Sequence, residues 1–157
     1  MNRLCAILCL LLIPVVPVAA EELREDELTI AAVGDIMLGG RTEPYLEQRG
    51  PDYPFRDVLP VLRLADVIAG NLESPISTRG RAVANKKFTL RAGPLAAEAL
   101  KKAGIRVVTL ANNHSMDFGP PALQDTLKIL AENNILFTGA GMDLDDARSP
   151  ALLKVKG

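Results

Sequence analysis

Three places along the chain set hard oxygen donors or an imidazole directly after an apolar run. They are Gly34-Asp35, Gly70-Asn71-Leu72-Glu73, and Asn112-Asn113-His114-Ser115-Met116-Asp117-Phe118-Gly119, the last following the run at 105–111. Carboxylate and amide oxygens suit magnesium, manganese or calcium, whereas iron or zinc would need histidines from elsewhere, since His114 is the sole one here. A phosphate is the other ligand such an edge would suit. Each motif also has a plain structural reading. Asp35 would bond turn amides, Asn71 would form a left-handed turn, and Glu73 would face solvent. Asn112, Asn113 and Asp117 would act as caps, and His114 would be satisfied inside the fold. Recurrence at successive strand ends favours one joint site that includes His114.

The motifs can meet only if the runs before them are parallel neighbours, because parallel strands bring their carboxyl ends to one edge. The rest of the chain supports that arrangement. Strands are expected at 28–33, 66–69, 105–111 and 135–138, with a small one at 88–90 and another begun at 151–155. Between them, a turn of helix at 41–50 is broken by Pro44, and Val58, Leu59, Leu62 and Ala65 line a helix over 55–65. A clearer helix covers 94–103, opened by Pro94 and closed by Gly104. Pro120 and Pro121 start another, lined by Leu123, Leu127 and Leu130, and 143–147 reads as a helical turn. Alternation of this kind predicts an α/β layered fold with a largely parallel sheet. Ending within an apolar run, residues 28–157 read as the N-terminal part of a longer domain.

At 157 residues, 48% hydrophobic and 24% charged, the chain has material for one core. Aromatics make up 4% with no tryptophan, which argues against base stacking and hence against a nucleic-acid partner. Residues 1–20 have the form of a signal peptide: Arg3, an apolar stretch over 4–18, and Val18-Ala19-Ala20 before Glu21. Retention as an anchor is disfavoured by its length and by Pro14 and Pro17. The expected location is therefore exported: periplasmic, cell-surface or extracellular. Cys5 and Cys9 both lie in that segment, so the mature chain would fold without a disulfide. Loss of Arg3 leaves 17 of the 18 basic residues against 19 acidic ones, a balance that decides nothing by itself. The distribution says more. Residues 21–27 form an acidic leader, while Arg79, Arg81, Lys86, Lys87 and Arg91 form an acid-free basic stretch. That stretch reads either as a solvated loop or as a polyanion-binding surface.

Four motifs in order resemble the CapA family of poly-γ-glutamate capsule synthesis proteins. They are Val33-Gly34-Asp35-Ile36-Met37-Leu38, Gly70-Asn71-Leu72-Glu73-Ser74-Pro75, the stretch from Leu110 to Gly119, and Thr138-Gly139-Ala140-Gly141. The resemblance implies an extracytoplasmic bacterial protein with a layered fold similar to calcineurin-like metallophosphoesterases. By that likeness Asp35, Asn71, Glu73 and Asn113 would hold a divalent metal and His114 would assist catalysis, with Asn112 and Asp117 supporting. Two departures stand out: Met37 occupies a position where the phosphoesterase pattern has histidine, and Asn71 one where aspartate would bridge two metals. A single-metal site is the form that remains. Two functions follow, a metal-dependent hydrolase when full length, or a non-catalytic assembly component that binds polyglutamate or another anionic polymer. The implied partners are that polymer and the membrane-bound machinery that makes the capsule.

Overall fold

The computed structural model describes residues 27–156, so the expected signal peptide and nearly all of the acidic leader lie outside the described residues. Nine elements follow in order: β1 (Ile30–Ile36), α1 (Glu43–Arg49), α2 (Leu59–Leu62), β2 (Val67–Leu72), α3 (Leu95–Lys102), β3 (Ile105–Thr109), α4 (Gly119–Glu132), β4 (Leu136–Thr138) and α5 (Leu144–Arg148). The four strands form one parallel sheet in the order β1-β2-β3-β4. Parallel neighbours require crossovers, and helices occupy each of the three. The expected α/β layered architecture is present.

Register places the chemistry. Ala32 lies opposite Ala69, Ala69 opposite Val107, and Val107 opposite Leu136, an apolar row across all four strands. Two residues further along β2, β3 and β4 the same face carries Asn71, Thr109 and Thr138. On β1 an irregularity between Ala32 and Asp35 brings Asp35, rather than Gly34, opposite Asn71. A bulge re-aims a side chain in this way. The result is a polar row, Asp35-Asn71-Thr109-Thr138, at the carboxyl ends.

The core that holds this row joins Leu72, Ile76, Leu100, Val108 and Leu130, all fully buried, to the alanine face of α3. Ala96, Ala97 and Ala99 let that helix lie close to the sheet, and Gly104, at φ 78°, turns the chain directly into β3. Beyond α5, Thr138 Oγ1 donates to Ser149 O at 3.3 Å, and Lys156 Nζ reaches Asp66 at 2.9 Å and Glu27 O at 2.8 Å. Residues 149–156 therefore run from the end of β4 back to the starts of β1 and β2.

Several expected elements are corrected. Residues 88–90 are not a strand: the Leu90 amide donates to the Asp117 carboxylate, and pairing is confined to one bridge between Ile76 and Ala92. Pro44 does not break a helix but lies in the first turn of α1, where its missing N–H costs nothing. The helix expected over 55–65 shrinks to α2 because Pro60 fixes its start, and Val58 is half exposed instead of facing the core. Residues 151–155 form no strand. Finally β1 and β2 run on through Asp35 and Asn71, so these two site residues lie within the strands and their spacing is set by the sheet.

Candidate functional site

The polar row continues into the turn after β3 through a chain of side-chain hydrogen bonds. Asn71 Nδ2 donates to Asp35 Oδ1 at 2.8 Å, and Asn112 Nδ2 donates to Asn71 Oδ1 at 3.0 Å and to Leu72 O at 2.9 Å. Asn112 Oδ1 in turn accepts from the His114 amide at 2.9 Å and from Ser115 Oγ at 3.2 Å. Both ends of the Asn112 amide are thus spent, which fixes its orientation and makes it a clamp between β2 and the turn. Asp35, Asn71, Asn112 and the His114 backbone, from three separate segments, are brought together.

Asp117 anchors the other side of the turn. Its carboxylate is about 1% exposed and accepts from Lys86 Nζ, from the Leu90 amide at 2.6 Å, and from His114 Nδ1 at 2.7 Å. Burial pushes its pKa up, but the Lys86 ammonium, His114 and the Leu90 N–H together outweigh burial and hold it below the usual carboxylate range. An ionised carboxylate can only accept, so the proton between the two residues sits on His114 Nδ1. In the neutral ring Nε2 then carries the lone pair, and it has no hydrogen bond among the described residues.

Residues 77–93 form a loop built onto this turn. Its start is tied to α4, where Ser77 Oγ donates to Asp125 at 2.6 Å just after Ile76 N donates to Thr126 Oγ1 at 2.9 Å. It crosses the turn with Val83 N on Asp117 O at 2.9 Å, and returns with Gly93 N on Glu43 Oε1 at 2.7 Å. The basic stretch is largely consumed here. Arg79 forks onto Asp125, with Nη2 at 2.5 Å from Oδ1 and Nε at 3.0 Å from Oδ2. Lys86 is bound to Asp117 and Asn113 O, and Arg91 lies 4.2 Å from the Phe118 ring centroid while donating to Arg79 O. Arg81 and Lys87 are exposed without an acidic partner among the described residues.

The Arg79 guanidinium, helped by the Ser77 hydroxyl, lowers the Asp125 carboxyl to about 2. A depressed folded-state pKa adds stability that is complete above the unfolded value near 4 and disappears as pH falls through about 2. Asp125→Asn is therefore expected to unfold at lower denaturant than wild type at pH 6, with the gap closing between about pH 4 and pH 2. Urea midpoints across that range check it; a constant gap would refute it.

The donors fit a hard cation in kind but not in number. Among the described residues no three His, Cys, Asp or Glu side chains converge as an ion would require. Asn71 Oδ1 is occupied by Asn112, leaving Asp35, Glu73 and Asn113 as oxygen donors with capacity to spare. Met37, in the place where the resembled pattern has histidine, instead lines an apolar cavity of ≈ 610 Å³ with Val33, Phe55 and Val61, and Asp35 at its edge. Thr109 and Thr138 in the polar row, and Lys86 as the partner of Asp117, were not singled out for these roles from sequence. Thr109 follows two valines in an apolar run, and Lys86 lies 31 residues from Asp117, so no local pattern ties either to the site.

A parallel sheet whose polar groups and sole histidine gather at the carboxyl ends of its strands defines an α/β protein with a polar strand-end edge. The chain belongs to the bacterial capsule synthesis protein PGA_cap family, whose model matches residues 29–157. It is 36% identical over 144 residues to the capsule biosynthesis protein CapA of Bacillus anthracis, covering 89% of this chain and 35% of that one. To the PGA biosynthesis protein CapA of Bacillus subtilis it is 38% identical over 125 residues, covering 79% and 33%. The chain spans about a third of the length of these curated relatives. The resemblance carried by the four motifs is borne out.

Proposed function

We propose that the chain serves in poly-γ-glutamate capsule synthesis, with the polar row and the His114 turn as its working site. The names of its relatives support the process. The observation that carries the site is the Asp117–His114 pair, which turns the one imidazole into a fixed base with Nε2 open. Such a group gives or takes a proton at an acyl or phosphoryl centre, while Asp35 and Asn71 provide a rigid polar floor. Polyanion capture by the basic stretch is the weaker reading, because Arg79, Lys86 and Arg91 are committed to internal partners. A divalent ion at Asp35, Glu73 and Asn113 would polarise a substrate oxygen, but it would need donors beyond those gathered here, and no step above depends on it. Export by the first twenty residues would bring the site to the emerging polymer and the membrane-bound machinery that makes it.

The test is substitution in the native gene, with cell-associated polyglutamate measured against protein level. His114→Ala, present at wild-type level, is expected to lower polymer by about 100-fold, the scale of acid–base catalysis. Unchanged polymer at equal protein level would overturn the proposal.

A further inference from the structure

Lys86 is the least anticipated member of the site. Its side chain is 27% exposed, yet its ammonium lies within the turn, donating to Asp117 Oδ1 and to Asn113 O. Those two acceptors flank His114 in sequence. Asp117 Oδ2 is left to His114 Nδ1 and the Leu90 amide. The carboxylate therefore has a division of labour between its oxygens, with Lys86 the one cation on Oδ1 and the Leu90 amide steadying Oδ2. Without that cation Oδ1 is left unpaired at a carboxyl 1% exposed, where burial favours the neutral form; a neutral carboxyl carries an O–H that donates to His114 Nδ1 and leaves the ring proton on Nε2.

We infer that Lys86 is a positioning residue: by tying Asp117 Oδ1 to the Asn113 carbonyl it locks His114 in the Nδ1–H tautomer and keeps the Nε2 lone pair available. The inference rests on the strand-end edge being the working site only for its consequence in function. The locking itself is a property of the folded chain. It also gives the loop of residues 77–93 a purpose beyond covering the turn, since this loop carries both Lys86 and the Leu90 amide to Asp117. The lysine is used here as an internal cation of fixed position, unlike an arginine fork that would compete for both carboxylate oxygens.

A single histidine makes the test direct. In ¹⁵N-labelled full chain, the two-bond and three-bond couplings from the ring protons report which nitrogen is protonated, with no assignment to resolve. With the ring neutral, wild type is expected to show protonated Nδ1 and unprotonated Nε2. Lys86→Met, which keeps an unbranched stem and removes the charge, is expected to lose that separation and show averaged or reversed nitrogen shifts. Lys86→Arg restores a cation, so it is expected to keep protonated Nδ1 at least in part. A wild-type ring protonated at Nε2 would overturn the inference without any variant, as would a folded Lys86→Met with the wild-type spectrum. Should the tautomer change in Lys86→Met while polymer yield is unaffected by His114→Ala, the positioning role stands and the functional reading falls.

Discussion

Asp117→Ala is expected to remove about 3 kcal/mol or more of stability, seen as a lowered urea midpoint at neutral pH. The size follows from what is left behind. An exposed ion pair contributes about 0–1 kcal/mol, and were Lys86–Asp117 of that kind the substitution would be mild. Here the carboxylate side is 1% exposed and serves three donors. Its loss strands the Leu90 N–H, frees the Lys86 ammonium from its carboxylate, and leaves the loop of residues 77–93 tied to the turn only by Val83 N on Asp117 O, Lys86 on Asn113 O and Arg91 over Phe118. An unsatisfied buried donor costs about 1–3 kcal/mol, and removing one partner of a buried charge pair about 3–5, so the sum is limited mainly by the exposure of Lys86. Asp117→Asn keeps the volume but must aim an N–H₂ at one of these donors, and it is expected to lose a substantial share of the same stability. A midpoint shift equivalent to less than about 1 kcal/mol in the alanine variant would mean that the cluster is solvated.

Why part of this was legible in the sequence and part was not comes down to range. The edge itself could be read because an apolar run followed by Asp35, Asn71 or Asn112 is a local pattern, and parallel order follows from alternation with helices. The ends of α3 were equally local, fixed by Pro94 and Gly104. Register was not local. The irregularity that puts Asp35, rather than Gly34, opposite Asn71 is decided by strand pairing. Residues 88–90 misled because Thr89 and Leu90 have the types found in strands, while the competing acceptor for the Leu90 amide lies 27 residues away. The same holds for the basic stretch. Arg79 and Lys86 look like a free cationic surface until Asp125 and Asp117, 46 and 31 residues on, are folded against them.

Gly80→Ala is expected to be the most damaging small substitution in the loop, at about 3 kcal/mol, and to reach His114 without touching it. Two costs add. Gly80 has φ 86°, where any L side chain is strained, and a Cβ there would overlap the Phe118 carbonyl oxygen. The first cost alone is on the order of 1 kcal/mol. Gly50, at φ 85° and ψ 170° with nothing within 4 Å of a Cβ, carries a backbone cost of about 1–3 kcal/mol and no overlap, so Gly50→Ala is the overlap-free comparison. The second cost has no cheap relief. Phe118 is followed by Gly119 at φ 75° and the start of α4, and the Asp117 carbonyl is already held by Val83 N at 2.9 Å. The loop must therefore lift, and Lys86 and the Leu90 amide lift with it. Gly80→Ala is accordingly expected to lose more stability than Gly50→Ala and to disturb the His114 tautomer as Lys86→Met does. Equal losses in the two glycines, with the imidazole spectrum unchanged, would show that the loop yields at Gly80 alone and that its hold on Asp117 is independent of this contact.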